Sequence, residues 1–247
     1  MSAGAAFITP DWPAPSNVHA AFSLRSGGVS GAPFDSLNLG AHVGDDPGSV
    51  GENRRRVEAA LALPATPRWL NQVHGTNVLD ADRFAGAPES ADAVVVRRPG
   101  TVAVIQVADC LPVLLAAAGG RAVAAAHAGW RGLAAGVLEA TVERLAEPAS
   151  GLTAWLGPAI GPEHFEVGDE VRAAFMQADP GAVEAFAVNA RGRWQCDLVQ
   201  LARHRLLALG VRQICGGTWC TFADRGRFFS HRREGRCGRM GAFIWLT

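Results

Sequence analysis

Apolar residues in this chain gather in short unbroken runs, separated by polar turns rich in glycine and proline. Thr101–Val107 and Ala122–Ala126 are two such runs, and continuous apolar stretches of this length predict buried strands. Thr153–Leu156, Val211–Cys215, Phe228–Phe229 and Ala242–Leu246 predict further strands. The period changes elsewhere. Ser49 with Glu52 three residues on has the form of a capping box and predicts a helix over Val50–Leu63, stopped by Pro64. From Gly129 the apolar positions Leu133, Val137, Leu138, Val142 and Leu145 recur at helical spacing, with Pro148 beyond the end. A helix is expected over Asp169–Gln177. Another, capped by Asp197, carries Leu198, Leu201, Leu206 and Leu209 and ends at Gly210. Residues 1–48 read as short strands and turns. Gly157–Pro162 reads as a rigid loop. Strands and helices alternate in the middle while the ends are strand-rich. The expectation is an α/β (α+β) chain of mixed sheets with helices outside, forming one domain over residues 1–247.

Composition narrows this picture. The chain has 247 residues, 49% of them apolar, and a formal net charge of zero. A sizeable core can form, and no nucleic-acid surface is expected. No apolar stretch is long enough to span a membrane, and no signal-peptide pattern opens the chain. The five cysteines are an odd, scattered set, which fits free or metal-bound thiols in a reducing cytoplasm. A monomer is expected, although nothing in the sequence fixes the oligomeric state. There is no lysine, hence no P-loop, and neither a G-x-G-x-x-G nor a G-x-S-x-G pattern occurs.

The candidate chemistry lies at strand ends. Cys110 follows the run Thr101–Val107 and His127 ends the run Ala122–Ala126. Ligands in open α/β sheets collect at such places. His74 stands in a polar loop with Asn71, Gln72, Gly75 and Asn77. One thiol with two imidazoles suits zinc or copper rather than magnesium or calcium. Each residue also has a plainer reading: Cys110 as a small buried hydrophobe, His127 as a hydrogen-bonded core histidine, and His74 as a solvated loop residue. Asp109 either orients a ligand or caps the turn at Leu111–Pro112. The turn after His127 brings Gly129, Arg131 and Gly132 to a helix start, a place that can hold an anion. Phe228–Gly235 packs aromatic rings, a hydroxyl, an imidazole and two guanidiniums together and reads as a ligand loop. Cys215, Cys220, His231 and Cys237 could form a structural zinc site, but their spacing is not a standard one. Arg25–Ser30 and Ser36–Gly40 are polar loops that can be ordinary hairpin turns.

Taken in order, ten stretches carry a resemblance. They are Arg25–Ser30, Ser36–Gly40, His42–Pro47, Asn53–Arg54, Gln72–Gly75, Ala108–Pro112, His127–Gly132, Gly157–Gly161, Phe229–Arg233 and Gly238–Met240. The chain closely resembles the YfiH-like family, also called the laccase-domain or polyphenol oxidase family and now described as purine nucleoside phosphorylases with adenosine deaminase activity. The resemblance implies a four-layer α/β/β/α fold, related distantly to cysteine-type deamidase toxins. It implies a metal site of His74, Cys110 and His127, usually zinc, with copper as an alternative. The implied substrates are phosphate and a purine nucleoside: adenosine, inosine, guanosine or methylthioadenosine. Two departures are Phe222, where a tyrosine is expected, and Cys237, where a small hydroxyl-type residue is expected. Neither is a metal ligand.

Within that frame Cys110, His127, His74 and Asp109 are the candidate catalytic residues, with Asp109 as a proton shuttle. Arg131, Arg232 and Arg233 are candidates for phosphate, because guanidinium matches it bidentately. His231 could stabilise the leaving purine, and Arg25 and Asn38 could contact ribose or base. A multicopper oxidase uses many histidines in His-x-His pairs; this chain has seven histidines and no such pair, so at most one mononuclear metal is expected. Copper-dependent phenol oxidation remains an alternative activity. A second is a hydrolase or deamidase with Cys110 as nucleophile and His127 as base. A third is a non-catalytic partner protein near cell division or peptidoglycan assembly.

Overall fold

A computed structural model describes residues 7–83 and 90–247. Three apolar clusters divide it into layers, and strand alternation decides which side chain enters which cluster. In β5 (Val102–Val107), Val102 and Val104 face one way while Ala103, Ile105 and Val107 face the other. In β6 (Leu111–Ala117), Leu111, Val113 and Leu115 oppose Leu114 and Ala116. All residues of both strands are buried. This is why their sequences read as continuous runs rather than alternating ones.

The first layer is α1 (Pro47–Ala60), whose Val57 packs with Leu37, Leu39 and Phe243 on the outer face of a four-stranded sheet. That sheet has the order β1 (Phe7–Ile8), β2 (Val18–Ser23), β13 (Met240–Leu246), β5. Its inner face packs on a six-stranded sheet of order β12 (Gln213–Gly216), β8 (Leu152–Leu156), β6, β7 (Val123–Ala128), β4 (Ala93–Val96), β3 (Val78–Asp80). The fourth layer is helical and covers the far face: α2 (Trp130–Ala135), α3 (Val137–Leu145), α4 (Asp169–Ala178) and α5 (Leu198–Ala208). A small three-stranded sheet joins β9 (Glu166–Val167), β10 (Phe186–Val188) and β11 (Trp194–Cys196). The four-layer expectation therefore matches a mixed α/β architecture. No helix among the described residues is long and apolar enough to cross a membrane.

Several local expectations change. The first helix begins earlier than the capping box implied. Asp46 is its N-cap, accepting from the Ser49 amide at 2.7 Å, and Pro47 fills the first turn, where its missing N–H costs nothing. Glu52 instead pairs with Arg55 and Arg56. The helical pattern after Gly129 is two helices, because Gly136 at φ 102° closes α2 before α3 starts. That left-handed geometry is natural only to glycine. Phe228–Phe229 is not a strand: both rings are fully buried and lead into the short helix α6 (His231–Glu234), capped by Ser230. The Asp197 cap and the Gly210 terminus are as expected, with Asp197 accepting from the Gln200 amide and Gly210 at φ 95°.

Candidate metal centre

Register brings the centre together. In the β6–β7 pair, Leu111 lies opposite Ala128 and Pro112 opposite His127. Cys110 therefore stands beside Gly129, at the entrance of β6 in the crossover between the two sheets, rather than at the end of β5. On the other flank, β4 pairs Ala93 with Ala126. One step further the His127 amide donates to the Asp92 carbonyl at 2.7 Å. The loop of His74 runs past this point toward β3.

Ligand-type atoms of His74, Cys110 and His127 all lie within 4.8 Å of one another, the one such group among the described residues. Cys110 Sγ is 3.8 Å from His74 Nε2. Two ligands at zinc bond lengths of about 2.3 and 2.05 Å stand roughly 3.6 Å apart across a tetrahedral angle. The donor set and its spacing thus fit a zinc-sized ion, and thiolate with imidazole also suits copper. Glycine is needed beside it: a Cβ at Gly129 would lie 2.9 Å from His74 Cδ2 and 3.0 Å from Cys110 Sγ. A Cβ at Gly132 would lie 2.9 Å from the Gly75 carbonyl, so α2 can approach the His74 loop only as backbone.

The electrostatics favour an ionised thiol. Burial works to raise the Cys110 pKa, but the charge on His127 and hydrogen bonds from His127 and His74 outweigh it and bring the thiol down to about 6. His127 moves the opposite way. Burial would lower it, yet the Cys110 thiolate and the Asp92 carboxylate raise it to about 9. Asp92 is fully buried and accepts from His127 Nδ1 at 2.8 Å. Burial penalises its charge, but the His127 bond and the loop amides hold the carboxyl below the usual carboxylate range.

Beside these three side chains lies a cavity of about 180 Å³ lined by Trp130, Ile160, Phe165 and Leu198, with Asp109, Arg131, His231 and Arg232 at its polar margins. The Arg232 guanidinium lies over the Phe165 ring at 5.3 Å and donates one bond to the Glu166 carbonyl. Asp109, at φ 90°, accepts from Thr221 Oγ1 at 2.6 Å and from the Arg232 amide at 2.7 Å. It thereby ties α6 to the thiol loop.

The other expected contacts stand elsewhere. Arg233 is spent on the carbonyls of Thr221, Phe222 and Phe228 and on Glu234. Arg25 binds Glu234 and the carbonyls of Asp35, Arg225 and Phe228. Asn38 is fully buried, bonded to Gly40, Asp45 and the Arg239 amide. None of these three lines the cavity. The cysteine cluster does not assemble either: Cys237 is buried, and Cys220 Sγ accepts from the Gly161 amide. Phe222 stacks on His164 at 4.5 Å between centroids.

Two residues at the centre have no role in the sequence reading. Asp92 had a signal: it is a lone carboxylate opening the apolar run Ala93–Val96, and a buried charge needs partners. His42, exposed at the surface, is pushed below the ordinary imidazole range by partial burial and by the charges of Arg239, Arg54, His127 and His74, so it stands within electrostatic reach of the centre. Its only signal was its place in one of the resembling stretches.

Known proteins match the chain along nearly its whole length. A purine nucleoside phosphorylase of Pseudomonas aeruginosa is 55% identical over 242 residues, covering 98% of each chain. The Escherichia coli purine nucleoside phosphorylase YfiH is 54% identical, covering 97% of this chain and 98% of its own. Among solved structures, a Neisseria meningitidis protein superposes with TM-score 0.94 at 47% identity, covering 97% of this chain and 98% of its own. YlmD from Geobacillus stearothermophilus gives 0.90 at 34% identity, over 100% of this chain and 97% of its own. With residues 19–247 also matching the sequence profile described as multi-copper polyphenol oxidoreductase laccase, this chain belongs to that family, the one that includes the YfiH proteins.

Proposed function

We propose that the chain is a zinc-dependent purine nucleoside phosphorylase that also deaminates adenosine, working as one domain in the cytoplasm. Its substrates are phosphate and adenosine, inosine, guanosine or methylthioadenosine. The observation that carries this reading is the thiol and two imidazoles converging at the edge of a cavity with an apolar wall and two arginines at its rim. Relatives named purine nucleoside phosphorylase at 54–55% identity support it.

His74, Cys110 and His127 would hold the metal. A zinc ion there supplies Lewis acidity, able to activate water or polarise a substrate atom. The chain's own groups do the rest. Ile160, Phe165, Trp130 and Leu198 offer flat apolar contact to a purine and exclude water from it. Arg131 and Arg232 bind phosphate, the Arg232 guanidinium keeping free N–H groups beyond its single backbone bond. His231 donates a hydrogen bond to the departing purine, stabilising the charge that develops on it. Asp109 has lone pairs left after its two bonds and passes protons during deamination.

The direct assay is the purified, metal-quantified protein with inosine or adenosine, with and without phosphate. Phosphate-dependent hypoxanthine or adenine establishes the phosphorylase, and phosphate-independent inosine from adenosine the deaminase. Neither product at full zinc occupancy would sink the reading.

One observation favours a second reading. Cys110, His127 and Asp92 form a nucleophile, base and orienting carboxylate in sequence, the arrangement of a cysteine hydrolase. Turnover that survives chelation and dies on alkylation of Cys110 identifies that enzyme. Phenol oxidation by copper-loaded protein is a third activity the same donors could support.

A further inference from the structure

We propose that Asp92 is the positioning residue of the metal centre, one buried carboxylate that sets both imidazoles at once. The inference rests on the reading of His74, Cys110 and His127 as metal ligands. Asp92 is fully buried and has no arginine partner among the described ion pairs; its one ionic contact is His127. Each carboxylate oxygen takes two bonds. Oδ1 accepts from the His74 amide at 2.9 Å and from His127 Nδ1 at 2.8 Å. Oδ2 accepts from the Val73 amide at 3.1 Å and the Gly75 amide at 2.7 Å.

Two consequences follow. Accepting from Nδ1 leaves Nε2 as the nitrogen of His127 free to ligate, in a ring whose ligand-type atom lies within 4.8 Å of those of His74 and Cys110. A metal-bound histidine is commonly fixed in this way. Three successive amides folding around one anion form a nest. That nest holds His74 at φ 61°, a left-handed conformation uncommon for a non-glycine residue. The same four bonds therefore choose the tautomer of one ligand and the backbone of the other.

Asparagine separates this role from a merely structural one. Its Nδ2 cannot accept. Placed at the Oδ2 position it loses two amide bonds; placed at Oδ1 it loses one. The second arrangement costs less, and there Nδ2 donates to His127 Nδ1. The ring proton moves to Nε2 and must return to Nδ1, at the cost of that bond, before Nε2 can ligate. Asp92→Asn thus leaves most of the loop folded while weakening one ligand.

The experiment is titration of the full chain with cobalt(II) against a competing chelator, read by visible absorption, for the unaltered protein and Asp92→Asn. The expected result is a loss of affinity of about 10- to 100-fold, with changed ligand-field bands and an unchanged fold by circular dichroism. Equal affinity and identical bands overturn the proposal. In the unaltered protein, amide exchange at Val73, His74 and Gly75 and the nitrogen shifts of His127 supply tests that no misfolded variant can obscure. Protected amides and metal on Nε2 support the role, whereas unprotected amides or metal on Nδ1 overturn it. If the unaltered protein takes up no cobalt, the metal reading fails. The proposal, which rests on that reading, then falls with it, whereas cobalt uptake with unprotected amides or with unchanged affinity in Asp92→Asn overturns the proposal alone.

Discussion

The thiol–imidazole end of the six-stranded sheet and the arginine-rich segment around α6 are equally dense in functional-looking residues, yet they use them oppositely. At the sheet end, three side chains from separate elements are left with donor atoms facing one point. Their polar needs are met from behind by Asp92. Around α6, most guanidiniums are consumed. Arg25 and Arg233 both bind Glu234 and backbone carbonyls, and Glu234 is held below its usual range by that pair despite partial burial. Only His231 and Arg232 of this helix reach the cavity. A reactive group is one whose partners have been arranged to leave it unsatisfied, and residue type does not reveal this.

The sharpest way to break the comparison is Cys110→Ala. Metal content by elemental analysis and nucleoside turnover should both fall to background. Loss of the metal with full activity kept would remove the metal mechanism. Next in size is the reactivity of the thiol in chelator-treated protein. With the Cys110 pKa depressed from 9.0 to about 6, thiolate persists as pH falls and is lost only through about pH 6. Iodoacetamide alkylation should therefore have its midpoint near 6, and a midpoint near 9 would show that His127 carries no charge in the free site.

The arginine pair tests the other half. Arg232→Ala should raise KM for phosphate with little change in Tm. Arg233→Ala, a side chain 8% exposed, should lower stability by about 2 kcal/mol through lost charged hydrogen bonds while the mutant retains phosphate binding. Equal effects on KM would erase the distinction between them. Gly129→Ala forces a Cβ against His74 and Cys110 and should cost about 1–3 kcal/mol of overpacking together with metal affinity, both measurable on one sample. The smallest effect serves as the control. Gly51 lies within α1 with open space around its missing Cβ, so Gly51→Ala should stabilise by about 0.5–1 kcal/mol and leave activity alone. A destabilised Gly51→Ala would mean that the helix surface is not free as described.

The sequence by itself determined the buried strand over Val102–Val107, because a strand covered on both faces must be apolar throughout; the strand Leu111–Ala117 went unread, Leu111–Pro112 having the look of a turn although both residues open β6. It also determined the Asp197 cap and the helix expected over Asp169–Gln177, which runs Asp169–Ala178, because short-range chemistry suffices there. It marked Cys110 and His127 because polar groups at the ends of such strands stand out. Tertiary structure decided the rest. Whether Arg232 or Arg233 faces the cavity depends on carbonyls and a carboxylate far along the chain, such as the Asp109 bond to the Arg232 amide. The break at Gly136 depends on a left-handed turn that apolar spacing does not record. Asp92 becomes a partner of His127 only when β4 and β7 pair in one register. Local patterns fix what a residue prefers, but hydrogen bonds between distant segments fix which groups remain free to react.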